Sequence, residues 1–349
     1  MREEQPCIAS GQSPFQQART VSDVQTDVDH DVRAVARKLL KGMVVPLLGA
    51  GVNACARPAD FAWRPGDKQY LPTGAELATY LAEEFDAPEE LAKTADLIRI
   101  SQFIDSVESS GGELYQTLHD IFAADYAPGP VHLFFARAAP LLRERNQLQV
   151  ILTTNYDDEL EHAFESAGEP YDLITYIASS PKEYRGRFMH WAPGEPGEPP
   201  PPPQVIESAN DYSLGPEKRT VIVKLHGAVK RPPSDDENYV ITEDHYIEYL
   251  THPDITTQLP SAVTDKLRNS SYLFLGYAMK DWNLRAILRR IWGEQLTTYG
   301  SWAIQKHVDP IERAFWNKRN VEILQLDLED YIDRLSVALD KRIAEGTVS

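Results

Sequence analysis

Four short apolar runs punctuate the chain, and each stops at a small cluster of polar or glycine residues. Met43-Val44-Val45-Pro46-Leu47-Leu48 stops at Gly49-Ala50-Gly51-Val52-Asn53, and Val150-Ile151-Leu152 stops at Thr153-Thr154-Asn155-Tyr156-Asp157-Asp158. Val221-Ile222-Val223-Lys224-Leu225 stops at His226-Gly227. Tyr272-Leu273-Phe274-Leu275 stops at Gly276-Tyr277-Ala278 and runs on into Asp281-Trp282-Asn283. Near-continuous apolar runs of this length predict strands buried on both faces of a mostly parallel sheet. In such sheets ligands bind outside the carboxyl ends of the strands. One pattern therefore predicts both an α/β fold and the place of its chemistry.

The intervening segments predict the rest. Residues 1–28 are polar with little periodicity and read as a mobile tail, leaving 29–349 as the folded domain. A helix is expected from near Asp31, with Val32, Val35, Leu39 and Leu40 on one face and Gly42 ending it. Residues 73–145 look helical throughout, opening on the capping box Thr73-Gly74-Ala75-Glu76. That is too much helix for one crossover between strands, so an inserted helical subdomain is expected. Helices are expected at Asp157 to Ala167, Glu243 to Leu250, Trp282 to Trp292 and Tyr331 to Ile343. Tyr171 to Tyr176, Trp302 to Ile304 and Val321 to Leu324 read as further extended segments. The proline- and glycine-rich stretch 192–203, ending in Pro199 to Pro203, should be an exposed loop.

Charge and cysteine usage narrow the chemistry. The net charge of −18 gives no overall attraction to phosphate backbones, so autonomous nucleic-acid binding is not expected. The two cysteines, Cys7 and Cys55, cannot build a disulfide framework or a Cys-x-x-Cys zinc site. Their number suits a reducing, cytoplasmic setting. No run approaches the roughly 18 apolar residues of a membrane span, and the first 29 residues contain no apolar signal-peptide region.

Each candidate site residue has two readings. Gly49-x-Gly51-x-x-Ala54 fits a dinucleotide fingerprint, in which glycine lets the backbone approach a pyrophosphate at a helix N-terminus. It also fits an ordinary tight turn, and the usual ribose-binding acid is not evident. Asn155 and Asp157 sit where a buried strand becomes a helix, so Asp157 fits an N-cap as well as a functional carboxylate. His226 ends an apolar strand before a glycine, a placement suited to acid–base work or to a hydrogen-bonded core histidine. His190 fits packing better. There is no Gly-x-Ser-x-Gly elbow, phosphate-binding Walker loop or metal-spaced cluster of His and Asp.

In order and approximate spacing, the four clusters resemble the sirtuin superfamily, most of all its bacterial SIR2-like branch of NAD-consuming anti-phage effectors. The matching pieces are Leu48-Gly49-Ala50-Gly51-Val52, Thr153-Thr154-Asn155-Tyr156-Asp157, Lys224-Leu225-His226-Gly227 and Phe274-Leu275-Gly276-Tyr277 through Asp281-Trp282-Asn283-Leu284-Arg285. The resemblance implies a Rossmann-like fold and NAD+ as substrate. It assigns Gly49, Ala50 and Gly51 to the NAD diphosphate, with Asn53 and Thr154 beside it. Asn155 and Asp157 match the family's Asn-x-Asp at the nicotinamide ribose, His226 the catalytic histidine, and Gly276 and Tyr277 the adenosine half. The four-cysteine zinc module of protein-deacylating sirtuins is missing, so no zinc is expected.

The expected activity is hydrolysis of NAD+ to nicotinamide and ADP-ribose, with His226, Asn155 and Asp157 as the catalytic set. Alternatives are an NAD-dependent deacylase or ADP-ribosyltransferase, and a non-catalytic NAD or ADP-ribose sensor. By the same resemblance the protein is expected to be a regulated homo-oligomer. A co-encoded partner such as a HerA-type ATPase or an Argonaute-like protein is expected as well.

Overall fold

The computed structural model describes residues 21–108, 112–194, 198–209, 214, 218–230, 238–251, 257–279, 282–292 and 299–346. Its strands are β1 (Val44–Leu48), β2 (Val150–Thr153), β3 (Tyr171–Tyr176), β4 (Phe188–Trp191), β5 (Gln204–Ile206) and β6 (Thr220–Lys224). They continue with β7 (Gly227–Ala228), β8 (Asn238–Tyr239), β9 (Ser271–Leu275), β10 (Ser301–Gln305) and β11 (Val321–Gln325). Nine of them form one sheet in the order β11-β10-β9-β1-β2-β6-β3-β4-β5. Every pair from β11 to β3 is parallel, and only the β3–β4 and β4–β5 pairs are antiparallel. The fold is the Rossmann-like, mostly parallel α/β sheet expected from the four apolar runs.

Those runs are continuous because both faces of the sheet are covered. Val45, Leu47, Val150, Leu152, Val221 and Val223 point into one core, shared with Leu284, Ile287 and Ile291 of helix Trp282–Trp292. Val44, Leu48, Ile151, Ile222, Leu273 and Leu275 point into the other, shared with Val32, Val35, Phe135, Phe164, Leu335 and Leu339. Alternation of side chains along each strand divides one apolar run between two cores. Pro46 of β1 has no N–H to donate. Accordingly β1 pairs along its whole length with β9, but with β2 only at Leu47 and Leu48.

Strand order reverses between β1 and β9. From β1 the chain builds β2, β6 and β3 on one side, then crosses to β9, β10 and β11 on the other. This switch point opens the crevice in which open α/β sheets bind ligands.

Between β1 and β2 lie helices Gly74–Glu84, Glu89–Ala92, Leu97–Val107, Gly112–Phe122 and Pro130–Glu144. Leu77, Leu81, Ile100, Ile104, Leu114 and Leu118 form a third core with Tyr239 and Ile241 from the β8 region. Helix Pro130–Glu144 differs from the others. It buries Val131, Phe134 and Phe135 against the sheet rather than in the third core. The capping box at Thr73 is formed as expected, with Glu76 N–H donating to the Thr73 hydroxyl and Thr73 N–H to the Glu76 carboxylate.

One boundary departs from the sequence pattern. The first helix spans Val21–Leu39, starting ten residues before Asp31. The tail expected over 1–28 lies outside the described residues as far as Thr20. In the proline-rich stretch, Pro199 to Pro203 are exposed, without regular structure, and lead into β5; residues 195–197 lie outside the described residues. No helix among the described residues is long and apolar enough to cross a membrane.

Candidate functional site

The glycine turn after β1 and the turn after β9 are knitted together backbone to backbone. Gly49 N–H donates to the Leu275 carbonyl at 2.9 Å and Gly51 N–H to the Gly276 carbonyl at 3.0 Å. A Cβ on Gly49 or Gly51 would lie 2.8 Å from the Gly276 carbonyl oxygen. Gly276 itself has φ of +73°, and a Cβ there would strike the Val52 nitrogen and the Gly49 oxygen. Glycine is required at all three positions by this close approach. The turn that follows is a single 3-10 turn, Ala50–Val52. That corrects the fingerprint reading, which supposed a full helix N-terminus. Val52 N–H is also engaged, by the Gly49 carbonyl, and Asn53 N–H by the Ala50 carbonyl. Most amides of the turn are thus satisfied within the protein.

Beside this seam, the turn after β2 carries a chain of buried amide and carboxylate groups. Asn155 Nδ2 donates to the Gly49 carbonyl at 3.4 Å and to Asn53 Oδ1 at 3.3 Å. Asn53 Nδ2 donates to Asp157 Oδ2 at 2.8 Å, and Glu159 N–H donates to Asp157 Oδ1 at 3.3 Å. Both oxygens of Asp157 are therefore bonded within the protein, and one of them serves the first turn of helix Glu159–Ser166. Asn155 N–H donates to Thr153 Oγ1, whose own hydroxyl donates to the Leu48 carbonyl. Thr154 bridges to the turn after β9 through a 2.8 Å hydrogen bond between its hydroxyl and that of Tyr277.

Under this network lies a neutral acid–imidazole pair that the sequence reading did not single out. Glu159 and His132 are both buried, with Glu159 Oε2 3.3 Å from His132 Nδ1. Nδ1 accepts the Gly129 N–H at 3.1 Å, so it carries no hydrogen. Burial, reinforced by the Asp157 and Asp158 charges, pushes Glu159 up to about 9. Burial holds His132 down at about 4. At neutral pH the carboxyl keeps its proton and the imidazole takes none, so neither member of the pair is charged.

His226 sits at the end of β6, 3% exposed, with its ring edge-on to Tyr246 and Tyr249. Its Nδ1 is 3.4 Å from the Tyr246 hydroxyl, and its buried Nε2 has no hydrogen-bond partner. Burial, with the Arg290 cation adding to it, lowers its pKa to about 3. The imidazole is therefore neutral across the physiological range. Gly227, with φ of +86°, follows it because a Cβ there would collide with the Asn238 carbonyl oxygen.

These elements surround one cleft of about 690 Å³ at the carboxyl ends of the strands. Asn155, Asp157 and His226 line it together with Ala50, Asn53 and Thr154. Gly276 and Tyr277 line it as well, and the helical segment closes it with Leu71, Pro72, Leu77 and Leu97. Gly51 faces an adjoining cavity of about 930 Å³, which shares Gly276 and Tyr277 with the first and reaches the ends of β10 and β11. Gly49 lies beneath both, its carbonyl holding Asn155. Asp281 falls outside the described residues. Of the remaining motif residues, Leu284 is core and Arg285 stacks on the Phe315 ring. His190 is a packing residue, 2.8 Å from Asp172 and remote from the cleft lining.

Several contributors lay outside the sequence reading. Pro72, Leu97 and Ile98 come from the segment between β1 and β2, whose docking on the cleft no local pattern announces. Tyr246 belongs to a helix that the sequence did predict. Lys224 carried a signal, being a lysine inside an otherwise apolar strand.

Residues 149–324, about half of the chain, match the family described as SIR2-like domain. The chain is also similar to NAD(+) hydrolase ThsA of Acinetobacter baumannii (strain 532279), at 25% identity over 205 residues. That match covers 58% of this chain and 32% of the relative, so the chain spans about a third of the relative's length. Among the described residues no group of three or more His, Cys, Asp or Glu is placed to hold a metal ion.

Proposed function

Because the chain belongs to the SIR2-like domain family, we propose that it hydrolyses NAD+ to nicotinamide and ADP-ribose in the cleft between the β1 and β9 turns. The observation that carries this reading is the convergence of Asn155 and His226 on that cleft, at the sheet's switch point. The adjoining cavity shares Gly276 and Tyr277 with the cleft, and in this reading the second nucleotide extends toward it. The ThsA relative, named an NAD(+) hydrolase, favours the same chemistry.

In this reading the C1′–N bond breaks with its electron pair going to the pyridinium nitrogen, so nicotinamide leaves neutral. Water adds to C1′ and a proton is released. The departing group is already cationic, so the protein must mainly stabilise an oxocarbenium-like ribose and orient the water. Both Asn155 Nδ2 hydrogens are committed to Gly49 and Asn53, which leaves Oδ1 to orient that water. His226, neutral and with a free ring nitrogen, takes a proton from the water or from a ribose hydroxyl. Asp157, with both oxygens engaged, acts by holding Asn53 and the turn in place. An unregulated NAD+ hydrolase would be toxic, so the proposal includes an off state released by a trigger, a partner or assembly in an anti-phage setting.

The test is nicotinamide release from NAD+ by purified protein, with and without candidate activators and acyl-lysine peptides. His226→Ala and Asn155→Ala are each expected to lower release by at least about a hundredfold while the protein remains folded. Full activity in both variants rejects the assignment. Release that depends strictly on an acyl-lysine peptide replaces hydrolysis by deacylation.

A further inference from the structure

Lys224 is 1% exposed, among the most deeply buried cations of the described residues. Its ammonium has three hydrogens and three acceptors: Glu161 Oε1, the Asp157 carbonyl, and the Tyr156 carbonyl at 3.5 Å. Glu161 is equally committed, being buried with its second oxygen unpartnered. The β2–β6 ladder ends at the Thr153–Lys224 pair, followed by one bond from Leu225 N–H to the Thr153 carbonyl. Beyond that point the turn bearing Asn155 and Asp157 leaves the sheet. Lys224 is the last residue of β6, two residues before His226, so its tripod ties that turn to the strand end next to the imidazole. Val229 N–H adds a bond to the Tyr156 carbonyl from the far side of His226.

We propose that Lys224 is a positioning residue that sets the Asn155–Asp157 turn against His226 by clamping the Tyr156 and Asp157 carbonyls, with Glu161 holding its ammonium in place. This inference rests on the hydrolase reading for its kinetic arm only. A buried charge pair is an insecure source of stability, since apolar replacements of both partners are often neutral or stabilising. What apolar groups do not replace is the pair of hydrogen bonds from one ammonium to two carbonyls of the turn.

The test compares Lys224→Met with the double variant Lys224→Met/Glu161→Leu. Lys224→Met leaves a buried carboxyl without its cation and lowers the Tm; the double variant regains it. In both, kcat is expected to fall about a hundredfold, with KM for NAD+ within about threefold of wild type, because the reacting groups are misplaced while the dinucleotide contacts persist. A double variant that regains turnover together with Tm overturns the proposal, as does a loss carried by KM. Amide hydrogen exchange of residues 155–159 in protein without NAD+ is the second arm. There, exchange at least about tenfold faster is expected in both variants, with β9 to β11 unchanged in the double variant, whose Tm is regained. Unchanged exchange at 155–159 overturns the proposal even if turnover falls. Wild-type protein that releases no nicotinamide under any condition refutes the hydrolase reading, and the exchange arm still decides the role of Lys224.

Discussion

Replacing Glu159 by glutamine should stabilise the protein in proportion to how far the pH lies above the ordinary carboxylate range. In the native state this carboxyl is 4% exposed and held near 9, mainly by burial and then by the Asp157 and Asp158 charges. In the unfolded chain it ionises near its ordinary value of 4.5. The native state therefore holds a proton that the unfolded state releases, and stability drains away as pH rises from about 4.5 toward 9. The rate of loss is about 1.4 kcal/mol per pH unit. Glutamine cannot ionise and has nearly the shape of the protonated carboxyl that it replaces. The stability gap between Glu159→Gln and wild type should thus be about 3 kcal/mol wider at about pH 7.5 than at about pH 5.5. Denaturant unfolding of both proteins at several pH values measures it, and the buried histidines cancel because both proteins contain them. A gap independent of pH, or one that narrows as pH rises, would refute the assignment of a protonated carboxyl at this position.

Other consequences can be checked separately. His132 and His226 are held at about 4 and about 3, below their unfolded value of 6.5. Their contribution is intact above about pH 6.5 and is lost as pH falls, by up to about 3 to 5 kcal/mol each. Thermal unfolding of Glu159→Gln, in which the opposing carboxyl titration is removed, should show this as a steep fall in Tm between neutral pH and about pH 5, and adding His132→Asn should flatten it by about one proton's worth. Gly276→Ala, at positive φ and against the Val52 and Gly49 backbones, should cost more than about 2 kcal/mol in denaturant unfolding. The control Gly168→Ala has a similar φ of +67° but open space around it, and should cost only about 1 kcal/mol. Tyr277→Phe removes the 2.8 Å bond to Thr154; it should lower stability by about 1 kcal/mol and raise KM for NAD+ more than it changes kcat.

The sheet was legible because its central strands are apolar on both faces, and the polar clusters ending those strands marked the cleft. The missing parts have identifiable reasons. β4 alternates buried and half-buried residues over four positions beside a proline run, and β5 has only three residues, too few for a period-2 signal. Helix Ser261–Asn269 buries only Val263, Thr264 and Leu267. Helix Pro310–Asn317 did announce itself, through Asp309 as N-cap and Pro310 at the first position. The earlier start of the first helix was also visible, in the spacing of Val21, Val24, Val28 and Val32. At the site, sequence placed Asn155, Asp157 and His226 at strand ends but could not separate a carboxylate that is fully engaged from one that is free. That distinction depends on Asn53, a hundred residues away, and on Glu159, whose protonation is a product of tertiary burial.

The sheet's outermost strand on the hairpin side, β5, is three residues long and entered through Pro199 to Pro203. A brief border strand preceded by residues lacking N–H donors is a poor template for recruiting a further strand. That border is therefore a poor place for a second copy of this protein to extend the sheet. Deleting Gln204 to Ile206 would uncover the outer edge of β4, now paired at Phe188, Met189 and His190, and invite the aggregation that the present arrangement blocks.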